Sequence, residues 1–421
     1  MDPHCIKASA SPAARGVTAA PCQAFSLSVT LIFATLVGTA VLPLYASQAL
    51  INGLDVSLHL GAWTSLVTGL TLLGYAVGLF ALVPLVDRLP LRPLIGTTLG
   101  AQAVALTFAA WTPSASGFLA ASFVIGVSAS AIQMLIPAAA ALAGPAARGK
   151  VIGNVMSGLM LGILLSRPLA GLADGTLGWR SFFVGDAILL VLTLVLALPR
   201  VPALRPAARP SYRSLVASLG RLVAEEPVLR HHALCQGLLM AGFNAFWTSV
   251  AIVLARPPLN LGPLQIALFT LAGAASVVVA PLAGRAGDRG RAGPAARAAH
   301  RIALCGTVVA ALAVSAHLPA PVSVLLLAVA ACVIDASVIA DQTLGRRAIN
   351  LLAPEARGRL NGLYTGLFFL GSAIGAAFAG PVFACAGWIG VCALSAAFFI
   401  GAALVHRFFL FSPHPAEPAV H

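Results

Sequence analysis

Long apolar runs, each about the length of a membrane crossing, alternate with short polar stretches along almost the whole chain. About 20 apolar residues cross the hydrocarbon of a bilayer as a helix. The pattern therefore predicts twelve spans, at 24–50, 61–84, 93–112, 117–143, 149–173, 180–198, 232–255, 263–284, 298–317, 321–343, 359–383 and 387–410. The stretch between the sixth and seventh is of another kind. PRVPALRPAARP, from Pro199, is Pro-rich and basic and does not span. Beyond it, Leu215, Leu219, Leu222 and Val223 fall on one face of a short helix that Pro227 ends. That helix is expected to lie along the membrane surface, or else the segment is a simple tether. The chain thus divides into a tail (1–23), a six-helix bundle (24–198), a linker (199–231), a second six-helix bundle (232–410) and a tail (411–421). The apolar run Phe25–Leu50 exceeds the roughly 7–15 residues of a signal-peptide core, so it reads as a retained first span.

Composition supports the same picture. Only 9% of residues are charged, against roughly 25% in a soluble domain, too few to cover a water-facing surface. The net charge of +13 would suit a nucleic-acid binder, but the basic residues fall in short loops between apolar runs and form no basic face. With both ends placed inside, 22 of the 25 Lys and Arg fall on the inner side. Arg180 and Arg256 fall outside and Arg167 lies within a span. The positive-inside rule then puts both termini in the cytoplasm. The seven cysteines form no CxxC pair or disulfide framework, and those in the spans read as small buried hydrophobes. His231–His232 is the one adjacent histidine pair, and nothing in the sequence around it completes a metal or nucleophile site. No nucleotide-binding motif is present. The expectation is a non-enzymatic protein without metal or cofactor.

Two internal repeats divide the chain into matching halves. Asp87–Arg88 and Pro93, after the run from Gly74 and Gly78, return 201 residues later as Asp288–Arg289 and Pro294. The longer repeat, from Gly144 and from Ala353, aligns without gaps at an offset of 209. It pairs Gly153, Gly162 and Gly171 with Gly362, Gly371 and Gly380, and Trp179 with Trp388. Duplicated bundles of this kind are common among transporters. Small-xxx-small pairs such as Gly74/Gly78, Gly158/Gly162 and Gly371/Gly375 let helices approach closely in lipid. They serve either plain packing or smooth faces on which one half slides against the other.

The stretch GYAVGLFALVPLVDRLPLRP, with its second copy, resembles motif A of the major facilitator superfamily, the loop joining the second and third helices of each half. Gly78, Asp87, Arg88, Arg92, Asp288 and Arg289 carry that resemblance. Span five resembles the antiporter pattern of the drug- and sugar-efflux branches at Gly153, Gly162, Pro168 and Gly171, while Ser166, Arg167 and Ala170 depart from it. The resemblance implies an all-α polytopic membrane protein of twelve helices in two pseudo-symmetric six-helix bundles. It implies a carrier of a small organic solute that works by alternating access in a bacterial inner membrane, exporting a drug or sugar against protons. An importer or uniporter is the alternative. It also implies that Asp87 docks on the start of span eleven, near Gly358–Asn361, and so holds one gating state, since helix N–H groups and dipole favour a carboxylate there. The partners expected are the bilayer and the solute, with a monomer as the working unit and the proton gradient as energy source.

The residues able to carry chemistry are few. A charge deep in a span costs at least about 2.5–3.5 kcal/mol, so Arg167 needs a partner or a wet cavity. Asp186, at similar depth in the adjacent span six, is the expected partner, and the pair is either structural or an anchor for a polar or anionic solute. Asp335, isolated in span ten, is the candidate for binding and releasing a proton; a structural hydrogen bond to a neighbouring helix is the bland alternative. Gln133 in span four, with Asn244 and Trp247 in span seven, are candidates to line the space between the halves or to hold helices together.

Overall fold

The structure, a computed structural model, describes residues 27–143, 147–202, 211–316, 318–352 and 357–411, without the side chains of 275–277, 357, 410 and 411. The two predicted tails fall outside these residues, Phe411 excepted, as do Pro145, Pro354 and most of the Pro-rich linker.

Among the described residues, eleven continuous helical stretches are long and apolar enough to cross a membrane. They run Leu27–Leu58, Gly61–Asp87, Leu91–Trp111, Ala115–Leu142, Arg148–Thr176 and Trp179–Arg200, then Pro227–Ala255, Pro263–Asp288, Ala292–Ser315, Ala320–Asn350 and Gly358–Phe409. The last, at 52 residues, is far too long for one crossing. At 1.5 Å per residue it would measure about 78 Å, against a hydrocarbon core of about 30 Å. Gly387 divides it, with φ 61° and ψ −157° inside an otherwise helical run. Its repeat counterpart, 209 residues earlier, is Gly178, which turns the chain between spans five and six with φ 84° and ψ 154°. Both conformations belong to a region that only glycine occupies readily, and each glycine is followed by a tryptophan. The chain therefore makes the twelve crossings the apolar pattern predicts.

Parity places the two ends of the described chain on one face, together with most of the arginines; the other face is Arg-poor. Some spans overrun their predicted limits. Span one continues to Leu58 because Asp55 closes its end, accepting from the Gly61 N–H at 2.6 Å and from the Thr64 hydroxyl at 3.1 Å. Span seven begins at Pro227, which seats His231 and His232 in the helix. Pro43 breaks span one in its middle, and the neighbouring Leu42 carbonyl accepts a hydrogen bond from Ser166 of span five.

The glycine pairs pack within their own halves. Gly74 and Gly78 rest on the Phe123 and Val127 carbonyls of span four. Gly158 and Gly162 rest on Ala34 and Gly38 of span one, and Gly371 and Gly375 on Gly237 and Ala241 of span seven. Of the two readings, plain packing is the one that holds for all three pairs. The close approaches between the halves use other residues: Gly69 on Ala377, Gly380 on Ala62, Gly171 on Ala267, Gly175 on Pro263 and Gly366 on the Phe80 ring.

The linker helix, Tyr212–Glu225, packs its apolar face on the bundle. Leu215 is buried, and Leu219, Leu222 and Val223 are half-buried against the protein core. Its apolar face is covered by protein at the Arg-rich end of the bundle, where the Tyr212 hydroxyl donates to the Ala81 carbonyl at 3.2 Å. Pro227 starts the next helix and so ends this one.

Candidate functional site

Spans one, five, seven and ten bring five polar side chains into one connected run between the halves. Arg167 projects from span five just before Pro168, and its Nε donates to Gln48 Oε1 at 2.7 Å. Gln48 lies in the part of span one beyond the Pro43 break, and its Nε2 donates to Asn244 Oδ1 at 2.9 Å. Asn244 in turn donates to the Met240 carbonyl of its own helix, at 2.9 Å. One helical turn further along span seven, the face of Trp247 lies under the Arg167 guanidinium, 4.4 Å from ring centre to Cζ. The indole Nε1 of the same tryptophan donates to Asp335 Oδ1 at 2.8 Å. Trp247 thus joins a cation on its face to a carboxylate on its edge. Arg167 and Gln48 come from the first half, and Asn244, Trp247 and Asp335 from the second.

The burial of this run explains its wiring. Arg167 and Asp335 are each 7% exposed, and Asn244 and Trp247 are 0% and 1% exposed. In so dry a place every unmade hydrogen bond is costly. The guanidinium gains one charge-assisted bond and one aromatic face, with the rings of Tyr45 and Phe243 at 5.3 and 5.9 Å. Its Nη2 has no hydrogen-bond partner. A donor left unmet beside a buried charge is a place for an acceptor atom of a ligand. Gly273 of span eight permits the arrangement, since a methyl group there would fall on the Asp335 carboxylate.

The predicted partner of Arg167 is corrected. Asp186 is buried, but both its carboxyl oxygens lack partners, and Arg167 turns toward spans one and seven instead. The azimuth of Asp186 around its helix is what separates the two. Gln133 stands apart from the run, half-buried and 3.3 Å from the Tyr75 hydroxyl within the first half. Gln48 is the member that sequence reading missed. A lone glutamine in an apolar run carries little signal, although a break at Pro43 five residues earlier marks a place where backbone and side chains depart from regular packing.

The seals between the halves lie toward the Arg-poor face. Asn52 donates to the Ala251 carbonyl at 3.4 Å, and the Gly380 N–H donates to Ser65 Oγ at 3.1 Å. At the Arg-rich face the first of the duplicated turns is undocked in this conformation. Asp87 and Arg88 are exposed, and no hydrogen bond or ion pair joins Asp87 to Gly358–Asn361. Spans two and eleven meet toward that face through Phe80 on Gly366. Arg92 instead clamps the end of span six, its guanidinium bonding the Pro199 and Val201 carbonyls at 2.8–3.0 Å. Asp288 pairs with Arg347 of span ten at 3.0 Å, and Arg289 is exposed. In span five Gly162 packs on span one and Gly171 on span eight, whereas Gly153 has open space around it.

A second cluster lies inside the second half, near its Arg-rich end. His231 Nε2 is 3.3 Å from His406 Nδ1, and Cys235 Sγ is 3.9 Å from His231 Nδ1. His300 meets Asp341 at 3.0 Å and stands edge-on to the His406 ring, 5.5 Å between centres. The sequence around His231–His232 offers no completed site, and the fold brings Cys235 and His406 beside His231. Cys235, four residues on and on the same helix face, was visible; His406, 175 residues away, was not.

Two six-helix halves meeting at a buried run of hydrogen-bonded polar groups define a membrane carrier. The model of the Major Facilitator Superfamily matches residues 27–344. The chain is 33% identical over 374 residues to the uncharacterized transporter YgaY of Escherichia coli, covering 88% of this chain and 93% of that protein. It is also 33% identical over 353 residues to a probable transporter of Streptomyces coelicolor, covering 80% of this chain and 76% of the relative. Among solved structures, a bacterial homologue of the lysosomal transporter Spinster, in an inward-facing conformation, matches with TM-score 0.71 at 14% identity, over 93% of this chain and all of that one. The last likeness bears on the fold alone. The chain belongs to the Major Facilitator Superfamily, and its activity is transport of a small solute across a membrane.

Proposed function

We propose that the protein exchanges protons for a small polar organic solute bound between the halves, in the direction of export, in the inner membrane of a bacterium. The observation that carries this reading is the Asp335–Trp247–Arg167–Gln48–Asn244 run, which crosses the interface that must open and close during alternating access. Arg167 Nη2 holds an acceptor atom of the solute, and Asp335 takes a donor group. A proton and a solute donor compete for the same carboxyl, and that competition turns two binding events into exchange. Ionised Asp335 also balances Arg167, so the empty carrier does not expose a lone buried charge. Export is supported by the resemblance of the Gly74–Pro93 stretch and of span five to efflux carriers. The departures at Ser166, Arg167 and Ala170 favour a second reading, a facilitator or importer of a small metabolite.

The test is proton movement in proteoliposomes under an imposed pH gradient, challenged with sugars, amphipathic drugs and organic anions. Exchange predicts that a transported compound dissipates the gradient with wild type and not with Asp335→Asn. Solute counterflow without proton movement would replace exchange by facilitated diffusion, and proton and solute moving together would replace it by import.

A further inference from the structure

The cluster inside the second half has no place in the transport reading, and its chemistry points elsewhere. We propose that His231, Cys235 and His406 form a site for a transition-metal ion of the zinc class, which clips span seven to span twelve near the Arg-rich face.

The donor set comes first. Two imidazoles and one thiol are soft-to-borderline ligands that suit Zn²⁺ and its neighbours and do not suit Mg²⁺ or Ca²⁺. All three side chains are buried, and one ligand atom from each lies within 4.8 Å of the others. An ion 2.0–2.1 Å from two nitrogens in tetrahedral geometry holds them about 3.3 Å apart. His231 Nε2 and His406 Nδ1 are 3.3 Å apart. A thiolate sulfur in the same shell lies about 3.5 Å from each nitrogen, so rotation of the Cys235 side chain, one turn along from His231, completes three ligands. The fourth position is left to solvent. In the ion-free arrangement the Cys235 thiol is directed at the Ala402 carbonyl of the last span, 3.7 Å away.

The surroundings supply what such a site needs. Metal-bound histidines ordinarily donate their other ring N–H to a carboxylate, a carbonyl or water. The His300–Asp341 pair stands edge-on to His406, 5.5 Å between ring centres, and His406 Nε2 has no hydrogen-bond partner among the described residues. His300 Nδ1 and Asp341 Oδ2 are buried without partners, so the cluster has unmet polar capacity. On binding, the thiol proton leaves to solvent, and the net positive charge of a dication with one thiolate is offset by Asp341. An open groove lined by Pro227, Arg230, Leu234, Val405 and Phe409 touches the cluster at His231. The ligands all belong to one half, so the ion is a resident of the protein and not its cargo.

The experiment uses the full chain without a histidine tag, purified in detergent, stripped with a chelator and titrated with Co²⁺. One ion per chain is expected, with a sulfur-to-cobalt charge-transfer band that is lost in Cys235→Ser and in His406→Gln and survives in the double variant Cys305→Ser, Cys385→Ser. Zinc should displace the cobalt and raise the thermal-unfolding midpoint of wild type while leaving that of Cys235→Ser unmoved. Absence of the band in wild type, or its survival in Cys235→Ser, overturns the site. Should either variant fail to fold, X-ray absorption of zinc-loaded wild type decides: one sulfur and two imidazoles support the site, and an oxygen–nitrogen shell without sulfur overturns it.

Discussion

Spans five and eleven follow one template, 209 residues apart, and end differently. Gly162 rests on the Gly38 backbone of span one as Gly371 rests on the Gly237 backbone of span seven. Gly178 and Gly387 turn the chain in the same unusual conformation, each ahead of a tryptophan. Five residues beyond the packing glycine, however, span five carries Arg167 and span eleven carries Ala376, which is 0% exposed. The duplication kept what lets helices approach and turn, and put the charge on one side only. The carboxylate and the indole that answer Arg167 come from the other half. The site is consequently asymmetric inside a symmetric frame, and each half is incomplete without the other.

The largest effect should come from forcing the comparison the wrong way. Ala376→Arg puts a guanidinium at a fully buried point of span eleven where an alanine fits. The cost is at least about 2.5–3.5 kcal/mol, so little folded protein should be recovered on gel filtration from membranes. Normal recovery would show that the template tolerates a charge at this depth without the Gln48 and Trp247 partners. Arg167→Lys tests the other member. It keeps the charge and loses the Nε bond to Gln48 and the flat stacking on Trp247. Hydrogen bonds to charged groups contribute about 1.5–3 kcal/mol, so solute transport should fall about ten- to a hundredfold with the protein still folded. Wild-type rates in the lysine variant would mean that only charge matters.

The same asymmetry explains what was legible in the sequence. The twelve crossings, the duplication and the family were readable because each rests on many residues in register: apolar runs, paired glycines and two copies of one turn. Which face a side chain presents rests on a single azimuth. Arg167 was found and its partner was misassigned, because neither carboxyl oxygen of Asp186 meets it. Gln48 and His406 have no local pattern; only packing of helices far apart in sequence brings them to their neighbours. The glycine pairs were correctly read as close-packing residues, and the surfaces they pack on are set by tertiary arrangement.

A middle-sized effect tests whether the shared frame is equivalent on both sides. Gly162→Ala and Gly371→Ala each drive a methyl group onto a backbone carbonyl that cannot step aside. Overpacking of that kind costs about 1–3 kcal/mol, and the two variants should lose similar amounts in thermal unfolding. Their companions Gly153 and Gly362 have nothing near the added methyl, and helical Gly→Ala there should be neutral or gain up to about 1 kcal/mol. A large loss in one packing variant and none in the other would break the equivalence of the halves.

The smallest effect concerns the duplicated turns, where the copies have already diverged. Asp288 bonds Arg347 on an exposed surface, whereas Asp87 is exposed with no hydrogen-bond or ion-pair partner among the described residues. An exposed ion pair contributes about 0.2–1 kcal/mol and is screened by salt. Asp288→Asn should therefore lower thermal stability slightly at low ionic strength and not at all in high salt. Asp87→Asn should leave stability unchanged in either. If Asp87 nonetheless acts in transport, its contribution arises in a conformation where spans two and eleven come closer at the Arg-rich end than Phe80 on Gly366 allows here. Transport would then slow in Asp87→Asn while the melting curve stays put. That split separates a residue that holds one state of the cycle from one that merely decorates a loop.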